Sequence, residues 1–124
     1  MSNIRVLVVD DDRSVSGLVA EILTNRGYTV DVASDGHAAL KLVAEHPYNL
    51  AVLDYQMPDM DGVEVFRRAR EQQPDLLGIF LTAYANLNTV FPAIDAGIER
   101  VLAKPPSRRE LIPVVEELIG PTTS

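Results

Sequence analysis

The sequence contains no cysteine, and its basic residues are outnumbered by its acidic ones, 11 against 18. Without cysteine the chain has no disulfide framework, no thiolate metal cluster and no cysteine nucleophile, which suits a reducing cytoplasm. A net charge of -7 would repel a nucleic-acid backbone, so we expect no direct binding of nucleic acid. No apolar run approaches the roughly 18 residues of a membrane span, so the sequence predicts a cytoplasmic protein without a membrane segment.

The chain does have enough apolar residues to fill one hydrophobic core. Its 124 residues are 47% hydrophobic, and a globular chain of this length buries about two-thirds of the surface that its unfolded form exposes. We therefore expect one compact domain over residues 1–120. Residues 121–124 are predicted to be a tail or the start of a linker.

Short apolar runs alternate with amphipathic segments along the chain. The runs predict strands over 4–9, 28–33, 50–53, 77–81 and 101–103. Helical spacing of apolar residues predicts helices over 14–26, 38–45, 63–73, 88–96 and 107–119. Gly27 occupies the position where a glycine stops the first helix, and Pro92 has to lie in the first turn of the fourth helix or kink it. Strands that alternate with helices in this way build a parallel sheet that is covered on both faces.

Polar side chains follow four of the predicted strands, at the point where each apolar run stops. They are Asp10 and Asp11 after the first strand, Asp54 after the third, Thr82 after the fourth and Lys104 after the fifth. In a doubly wound α/β fold, ligands bind beyond the carboxyl ends of the strands, where the strand order switches direction. With the order 2-1-3-4-5, the first and third strands flank that switch point, so their acids are predicted to face each other.

Clustered carboxylates cost free energy unless a positive charge offsets them. Two unit charges about 4 Å apart repel by about 4 kcal/mol at an effective dielectric constant of about 20. A hard cation such as Mg2+ suits carboxylates together with phosphate oxygens, and Lys104 adds a fixed positive charge. Asp54 is then a candidate nucleophile toward a phosphoryl group, with the Thr82 hydroxyl as a donor to a phosphoryl oxygen. The product would be an aspartyl phosphate.

These residues and their neighbours resemble the receiver domain of two-component response regulators over nearly the whole chain. The resemblance rests on segments in the family's order and spacing, at 8–12, 53–62, 81–83, 96–97 and 104–105. Their sequences are VVDDD, LDYQMPDMDG, LTA, AG and KP. Each segment alone has little specificity, whereas the set is specific. The resemblance implies a flavodoxin-like, doubly wound (βα)5 fold with strand order 2-1-3-4-5.

The resemblance also implies how the acids would act. Asp54 would accept a phosphoryl group from the phosphohistidine of a sensor histidine kinase or a phosphotransfer protein. Asp10 and Asp11 would form the acidic pair that holds Mg2+, with Mn2+ as a substitute. Asp11, Asp54 and the main-chain carbonyl of Gln56 would be the direct metal ligands.

In such a domain Thr82 and Lys104 would contact the phosphoryl group, and the Lys104–Pro105 peptide would be cis. Phosphorylation would draw the Thr82 loop inward and change the surface formed by the fourth predicted helix, the fifth strand and the last helix. That surface would bind a partner protein or an attached output domain. The domain would be a phosphoacceptor in signalling, and not an enzyme beyond its own phosphorylation and slow dephosphorylation.

Two residues depart from the family's usual pattern, and two others lie at positions that vary within the family. Most receiver domains carry an aromatic residue two or three positions before the lysine of the fifth strand, where this chain has Val101. Pro92 in the fourth predicted helix is also unusual, so we expect an altered output surface. Gln56 and Tyr84 occupy positions that tune the lifetime of the phosphoryl group in the family.

Several other functions match part of the sequence. Residues 59–63 resemble the nucleophile motif of haloacid-dehalogenase-type phosphatases, but five residues separate them from the strand that the motif should follow. An EF-hand calcium loop is excluded, because its alignment puts Met57 at the first ligand position and Arg68 at the position of the bidentate glutamate, and neither side chain can bind Ca2+ there. The acids after the first strand would repel the phosphate of FMN, which disfavours a flavodoxin-type carrier. A receiver-like module that signals by binding, without phosphorylation, remains the alternative because of Val101.

Overall fold

The computed structural model describes residues 4–83 and 97–120 of the chain. Parallel strands form one sheet in the order β2-β1-β3-β4-β5. The strands are β1 (Arg5–Val9), β2 (Thr29–Ala33), β3 (Leu50–Asp54), β4 (Leu77–Thr82) and β5 (Arg100–Ala103). The helices of the described residues are α1 (Arg13–Asn25), α2 (Gly36–Glu45), α3 (Gly62–Gln72) and α4 (Arg108–Ile119).

The observed strand order confirms the predicted flavodoxin-like, doubly wound α/β fold. The helix predicted over 88–96 and the tail predicted over 121–124 lie outside the described residues. Over the part of the chain that is described, no helix combines the length and the apolar character that a membrane crossing requires.

Two apolar clusters cover the two faces of the sheet. In β1, Val6 and Val8 belong to one cluster, whereas Leu7 and Val9 belong to the other. Residues of α1 and α4 complete the first cluster, and residues of α2 and α3 complete the second. All residues of β3 are buried, as expected of a central strand in a parallel sheet. Burial on both faces explains why the central strands are continuous apolar runs that stop abruptly at polar residues.

Side-chain caps fix where the helices begin, at the edge of the sheet where the strands end. A main-chain N–H in the first turn of each described helix donates to a capping side chain, which is Asp12, Asp35, Asp61 or Ser107. These caps satisfy N–H groups that have no partner within the helix. Beyond the other end of α1, Gly27 has a φ of 96°, a left-handed conformation that favours glycine. The predicted stop of the first helix at Gly27 is therefore confirmed.

Two helices bury most of the residues that helical spacing places on their apolar faces, with one exception in each helix. In α1, spacing would also bury Leu18, but Leu18 is 39% exposed and Ser16 is buried instead, one turn before buried Val19 and two turns before buried Leu23. In α3, Val65 is fully buried and Val63 only partly. Gly62 at the start of α3 is also buried, three residues before Val65.

Candidate functional site

The polar strand ends meet at the carboxyl edge of the sheet, as predicted. Because β1 and β3 pair in parallel, Asp10 and Asp54 come together where the two apolar runs end. Asp10 is 1% exposed, Asp54 4% and Thr82 6%, whereas Asp11 is exposed. The main-chain N–H of Lys104 donates to the carbonyl of Thr82 at 2.9 Å, which continues the pairing of β4 with β5. The register of the sheet thus gathers all five predicted residues at one edge.

Lys104 bridges the two buried carboxylates. Its Nζ donates to Oδ2 of Asp54 at 3.0 Å and to Oδ1 of Asp10 at 3.3 Å. The Lys104 side chain is 18% exposed, so most of its length is removed from solvent. The Lys104–Pro105 peptide is cis, as the family resemblance implied. One cation is therefore shared between two buried anions.

The acids form a cluster that suits a hard cation. Carboxylate oxygens of Asp10, Asp11 and Asp54 all lie within 4.8 Å of one another. Oδ2 of Asp10 is buried and has no hydrogen-bond partner among the described residues. A buried oxygen left without a partner costs free energy, and oxygen atoms of carboxylates are the ligands that Mg2+ prefers. The residues present therefore fit a divalent cation. We call Asp10, Asp11, Asp54 and Lys104 the acidic site.

The ionisation of the acidic site reflects its burial. Burial raises the pKa of Asp54 to about 6, and the charge of Asp10 acts in the same direction, while Lys104 opposes the shift. Burial works against the charge of Lys104, yet its hydrogen bond to Asp54 and the charge of Asp10 leave the Lys104 pKa raised. Two carboxylates compete for one ammonium group. An additional cation would relieve the repulsion that remains.

Asp12, the third of the consecutive acids, has a different role from the first two. Its carboxylate Oδ1 accepts hydrogen bonds from the main-chain N–H of Ser14 at 3.0 Å and from the Ser14 hydroxyl at 2.6 Å. These hydrogen bonds lower the pKa of Asp12. The main-chain N–H of Asp12 donates to Oδ1 of Asp10 at 2.9 Å. Asp12 is thus the cap of α1 and holds one oxygen of Asp10.

The loop between β3 and α3 returns the chain to Asp54. The main-chain N–H of Gln56 donates to Oδ1 of Asp54 at 3.3 Å, and the N–H of Gly62 donates to the carbonyl of Tyr55 at 3.0 Å. A side chain on Gly62 would overlap the main-chain oxygen of Asp54. Gly62 was part of the segment 53–62 that carries the family resemblance, but its contact with the main chain of Asp54 could not be predicted from the sequence pattern.

Val101 lies beside an aromatic cluster on one face of the sheet. It pairs with Phe80 across β4 and β5 and packs, partly buried, against the same apolar cluster. The Phe80 ring lies 5.6 Å from the Tyr55 ring and 6.5 Å from the Phe66 ring, between centroids. The position where the family most often has an aromatic residue on β5 therefore belongs to the same apolar cluster as Phe80, Phe66 and Tyr55. Tyr84, predicted to tune the phosphoryl lifetime, lies outside the described residues.

A second polar cluster lies toward the opposite, amino edge of the sheet. It borders a cavity of about 430 Å3 that is lined by Arg5, Thr29, Pro47, Tyr48 and Asn49. Nε of Arg5 and the hydroxyl of Tyr48 both donate to Oδ2 of Asp31, at 2.9 Å and 2.7 Å. The guanidinium carbon of Arg5 lies 5.8 Å from the centre of the Tyr48 ring. We call Arg5, Asp31 and Tyr48 the amino-edge cluster, and we interpret it as structural because its charges are paired with each other.

Comparison with known proteins identifies relatives of this chain. The family model of the response regulator receiver domain matches residues 6–116. Response regulator MprA of Mycolicibacterium vanbaalenii is 39% identical over 120 residues, which are 97% of this chain and 52% of that protein. The chain therefore spans about half the length of the curated relatives it matches.

Solved structures show the same fold. A CheY-like response regulator receiver domain protein from Methanospirillum hungatei has a TM-score of 0.87 and 32% identity, over 94% of this chain and 93% of that one. Response regulator TrrA from Thermotoga maritima, crystallised in complex with Mg2+ and BeF, has a TM-score of 0.82 and 33% identity, over 93% and 98% of the two chains. Both proteins are similar to this chain over nearly its whole length.

Proposed function

The chain belongs to the response regulator receiver domain family, and we propose that it accepts a phosphoryl group on Asp54. One observation carries the proposal: buried Asp54 lies beside buried Asp10, and Lys104 donates hydrogen bonds to both carboxylates. A structural ion pair would match one acid with one lysine, whereas here two acids share the lysine. We take residues 1–120 as the receiver unit.

Asp54 is the proposed nucleophile. A carboxylate needs no general base, because it is ionised above its pKa. One oxygen of Asp54 forms a bond to the phosphorus of a phosphohistidine while the P–N bond breaks, and the bonding electrons leave with the imidazole of the donor. Lys104, 3.0 Å from Oδ2 of Asp54, neutralises charge on the phosphoryl oxygens, and the Thr82 hydroxyl donates to one of them.

The acidic site is the proposed Mg2+ site. We assign Asp11, Asp54 and the main-chain carbonyl of Gln56 as direct ligands, with Asp10 completing the acidic pair. Mg2+ would supply the positive charge that neutralises the phosphoryl oxygens. The relative TrrA was crystallised with Mg2+ and BeF, which supports this choice of metal. Mn2+ binds similar oxygen ligands and is expected to substitute.

The proposed donor is the phosphohistidine of a sensor histidine kinase or of a phosphotransfer protein. The added charge at Asp54 then changes a surface that includes β5 and α4, together with the helix predicted over 88–96. A partner protein or an attached output domain reads that surface. Because Val101 stands where an aromatic residue is usual, the change is proposed to differ from that of most receiver domains.

Intact-protein mass after incubation with acetyl phosphate tests the proposal. With Mg2+, the wild-type chain should gain the mass of one phosphoryl group, and the gain should be absent in EDTA. Asp54→Asn should show no gain. Asp75→Asn, a matched change at an exposed acid, should be labelled as the wild type is. Persistent labelling of Asp54→Asn would show that another residue is the acceptor.

Lys104→Ala separates acceptance of the phosphoryl group from the response to it. This variant should still bind Mg2+, because the acids remain. The changes in NMR chemical shift that follow phosphorylation of the wild type should be lost beyond the site, since Lys104 joins β5 to Asp54. A variant that responds as the wild type does would contradict the role proposed for Lys104.

The second candidate is a receiver-like module that signals by binding without phosphorylation, and Val101 is the observation that favours it. If no condition gives a mass gain, this candidate replaces the first. The next step would then be to identify the binding partner of the unphosphorylated domain.

A further inference from the structure

Asp12 and Asp10 are linked by two hydrogen-bonded turns in series. The carboxylate of Asp10 accepts the N–H of Asp12, two residues on, at 2.9 Å. The carboxylate of Asp12 accepts the N–H of Ser14, again two residues on, at 3.0 Å. The side chain of Asp12 therefore anchors the first turn of α1, while its main chain anchors one oxygen of Asp10.

The two carboxylate oxygens of Asp10 have different hydrogen-bonding environments. Oδ1 accepts the Asp12 N–H and, at the longer distance of 3.3 Å, the ammonium group of Lys104. Oδ2 is buried and has no hydrogen-bond partner among the described residues. A carboxylate that was free to rotate would exchange its oxygens and give both a share of the donors. The Asp12 N–H opposes that rotation and keeps one oxygen unpartnered.

From these contacts we infer that Asp12 is a positioning residue for the metal: its cap on α1 holds the N–H that orients Asp10 and leaves Oδ2 available to the outer coordination sphere of a cation that Asp11 and Asp54 bind directly. The inference rests on the proposed function, because it assumes that the acidic site binds Mg2+. Asp12 itself is exposed, and its carboxylate is engaged by Ser14, so it acts through Asp10 and not as a ligand.

The alternative explanation for any effect of Asp12 is its charge. A carboxylate near a cation favours binding by simple attraction, and that attraction weakens as salt is added. Asp12→Asn removes the charge and keeps an oxygen that caps a helix about as well as aspartate does. Asp12→Ala removes both. The difference between the two variants therefore isolates the cap.

The test is the Mg2+ dissociation constant of the unphosphorylated protein, measured by calorimetry at low and at high KCl. Asp12→Ala should weaken Mg2+ binding about three- to tenfold relative to Asp12→Asn, in line with the loss of a helix cap, and the ratio should persist at high salt. Asp35→Ala removes the corresponding cap of α2, where Asp35 accepts the N–H of Ala38 at 2.7 Å. It should lower the stability of the domain and leave the Mg2+ dissociation constant unchanged.

Each other outcome overturns the inference. Equal weakening in Asp12→Ala and Asp12→Asn would assign the effect to charge, and an unchanged dissociation constant in Asp12→Ala would remove the role altogether. Weakening in Asp35→Ala as large as in Asp12→Ala would assign it to general destabilisation. If the wild-type protein binds no Mg2+, the proposed function fails as well. If the wild type binds Mg2+ and any of these three results is found, only the role of Asp12 is overturned.

Discussion

The acidic site and the amino-edge cluster place similar groups in opposite electrostatic conditions. In the acidic site, burial and the charge of Asp10 raise the pKa of Asp54 to about 6. In the amino-edge cluster, burial works against the charge of Asp31, but hydrogen bonds from Tyr48 and Arg5 leave its pKa lowered. Asp31 has two donors of its own, whereas Asp54 shares one lysine with a second acid.

The opposite pKa shifts mean that ionised Asp31 stabilises the fold, whereas ionised Asp54 destabilises it. Asp31 is ionised more readily in the folded chain than in the unfolded one, so its ionisation favours folding. Asp54 is ionised less readily, so its ionisation disfavours folding. Ionised Asp54 lowers the stability of the fold, and contacts elsewhere in the domain offset this loss. Substitutions of Asp54 and Asp31 are therefore expected to change the free energy of unfolding in opposite directions.

The largest expected change in stability comes from Asp31→Ala. It leaves the hydroxyl of Tyr48, a residue only 6% exposed, without its acceptor and removes the partner of Arg5. The free energy of unfolding should fall by about 2–3 kcal/mol, measured by urea denaturation. Labelling by acetyl phosphate below the unfolding transition should stay at the wild-type level. A loss of labelling in the folded variant would contradict the separation of the two edges.

Asp54→Asn should increase the stability of the domain, in contrast to Asp31→Ala. In EDTA it removes a carboxylate whose ionised form is disfavoured by burial and by Asp10, and Lys104 can then pair with Asp10 alone. The free energy of unfolding should rise by about 1–2 kcal/mol at pH 7.5, since one pKa unit corresponds to about 1.4 kcal/mol and burial of the asparagine amide offsets part of the gain. A less stable variant would mean that Lys104 outweighs the repulsion.

The pH dependence of this gain follows from the direction of the shift. Between the ordinary value of 3.8 and about 6, folded Asp54 binds more protons than unfolded Asp54, so its contribution to stability falls as the pH rises through that window. The excess stability of Asp54→Asn over the wild type should therefore be near zero at pH 4 and reach its full size above pH 6. Asp31, whose pKa is lowered, should show the opposite sign when Asp31→Asn is compared with the wild type.

Tyr48→Phe is expected to give the smallest change in the free energy of unfolding. Asp31 keeps its hydrogen bond from Arg5, and the aromatic ring remains against the guanidinium group. The free energy of unfolding should fall by about 1 kcal/mol, the typical net value of one hydrogen bond, as measured in urea. A fall as large as that of Asp31→Ala would show that the hydroxyl of Tyr48 dominates the cluster.

Sequence analysis predicted the carboxyl edge well for a physical reason. A strand that is buried on both faces must be apolar, so the first polar residue marks both the end of the strand and the edge of the sheet. Asp10, Asp54 and Thr82 were found in this way, and their proximity followed from the strand order alone. The end of α1 followed from Gly27, whereas α2 begins at Gly36, two residues before the predicted start, because Asp35 caps it.

Contacts between segments that are distant in sequence could not be predicted in this way. Asp31 meets Tyr48 and Arg5 across 17 and 26 residues, and no periodic pattern signals such a meeting. The burial of Ser16 in α1 was missed for a different reason, because a polar residue gives no signal in the spacing of apolar residues. Three identical acids in a row also gave no sign that Asp12 is a cap while Asp10 and Asp11 belong to the acidic site.

The contact between Gly62 and Asp54 has a consequence for how this sequence can vary. Any side chain at position 62 would overlap the main-chain oxygen of Asp54, so mutational drift at this position is constrained by the reactive residue eight places earlier. In a library of all substitutions selected only for signalling, position 62 would be depleted like a position of the acidic site. A glycine that carries no reactive group would thus be inherited together with the nucleophile it accommodates.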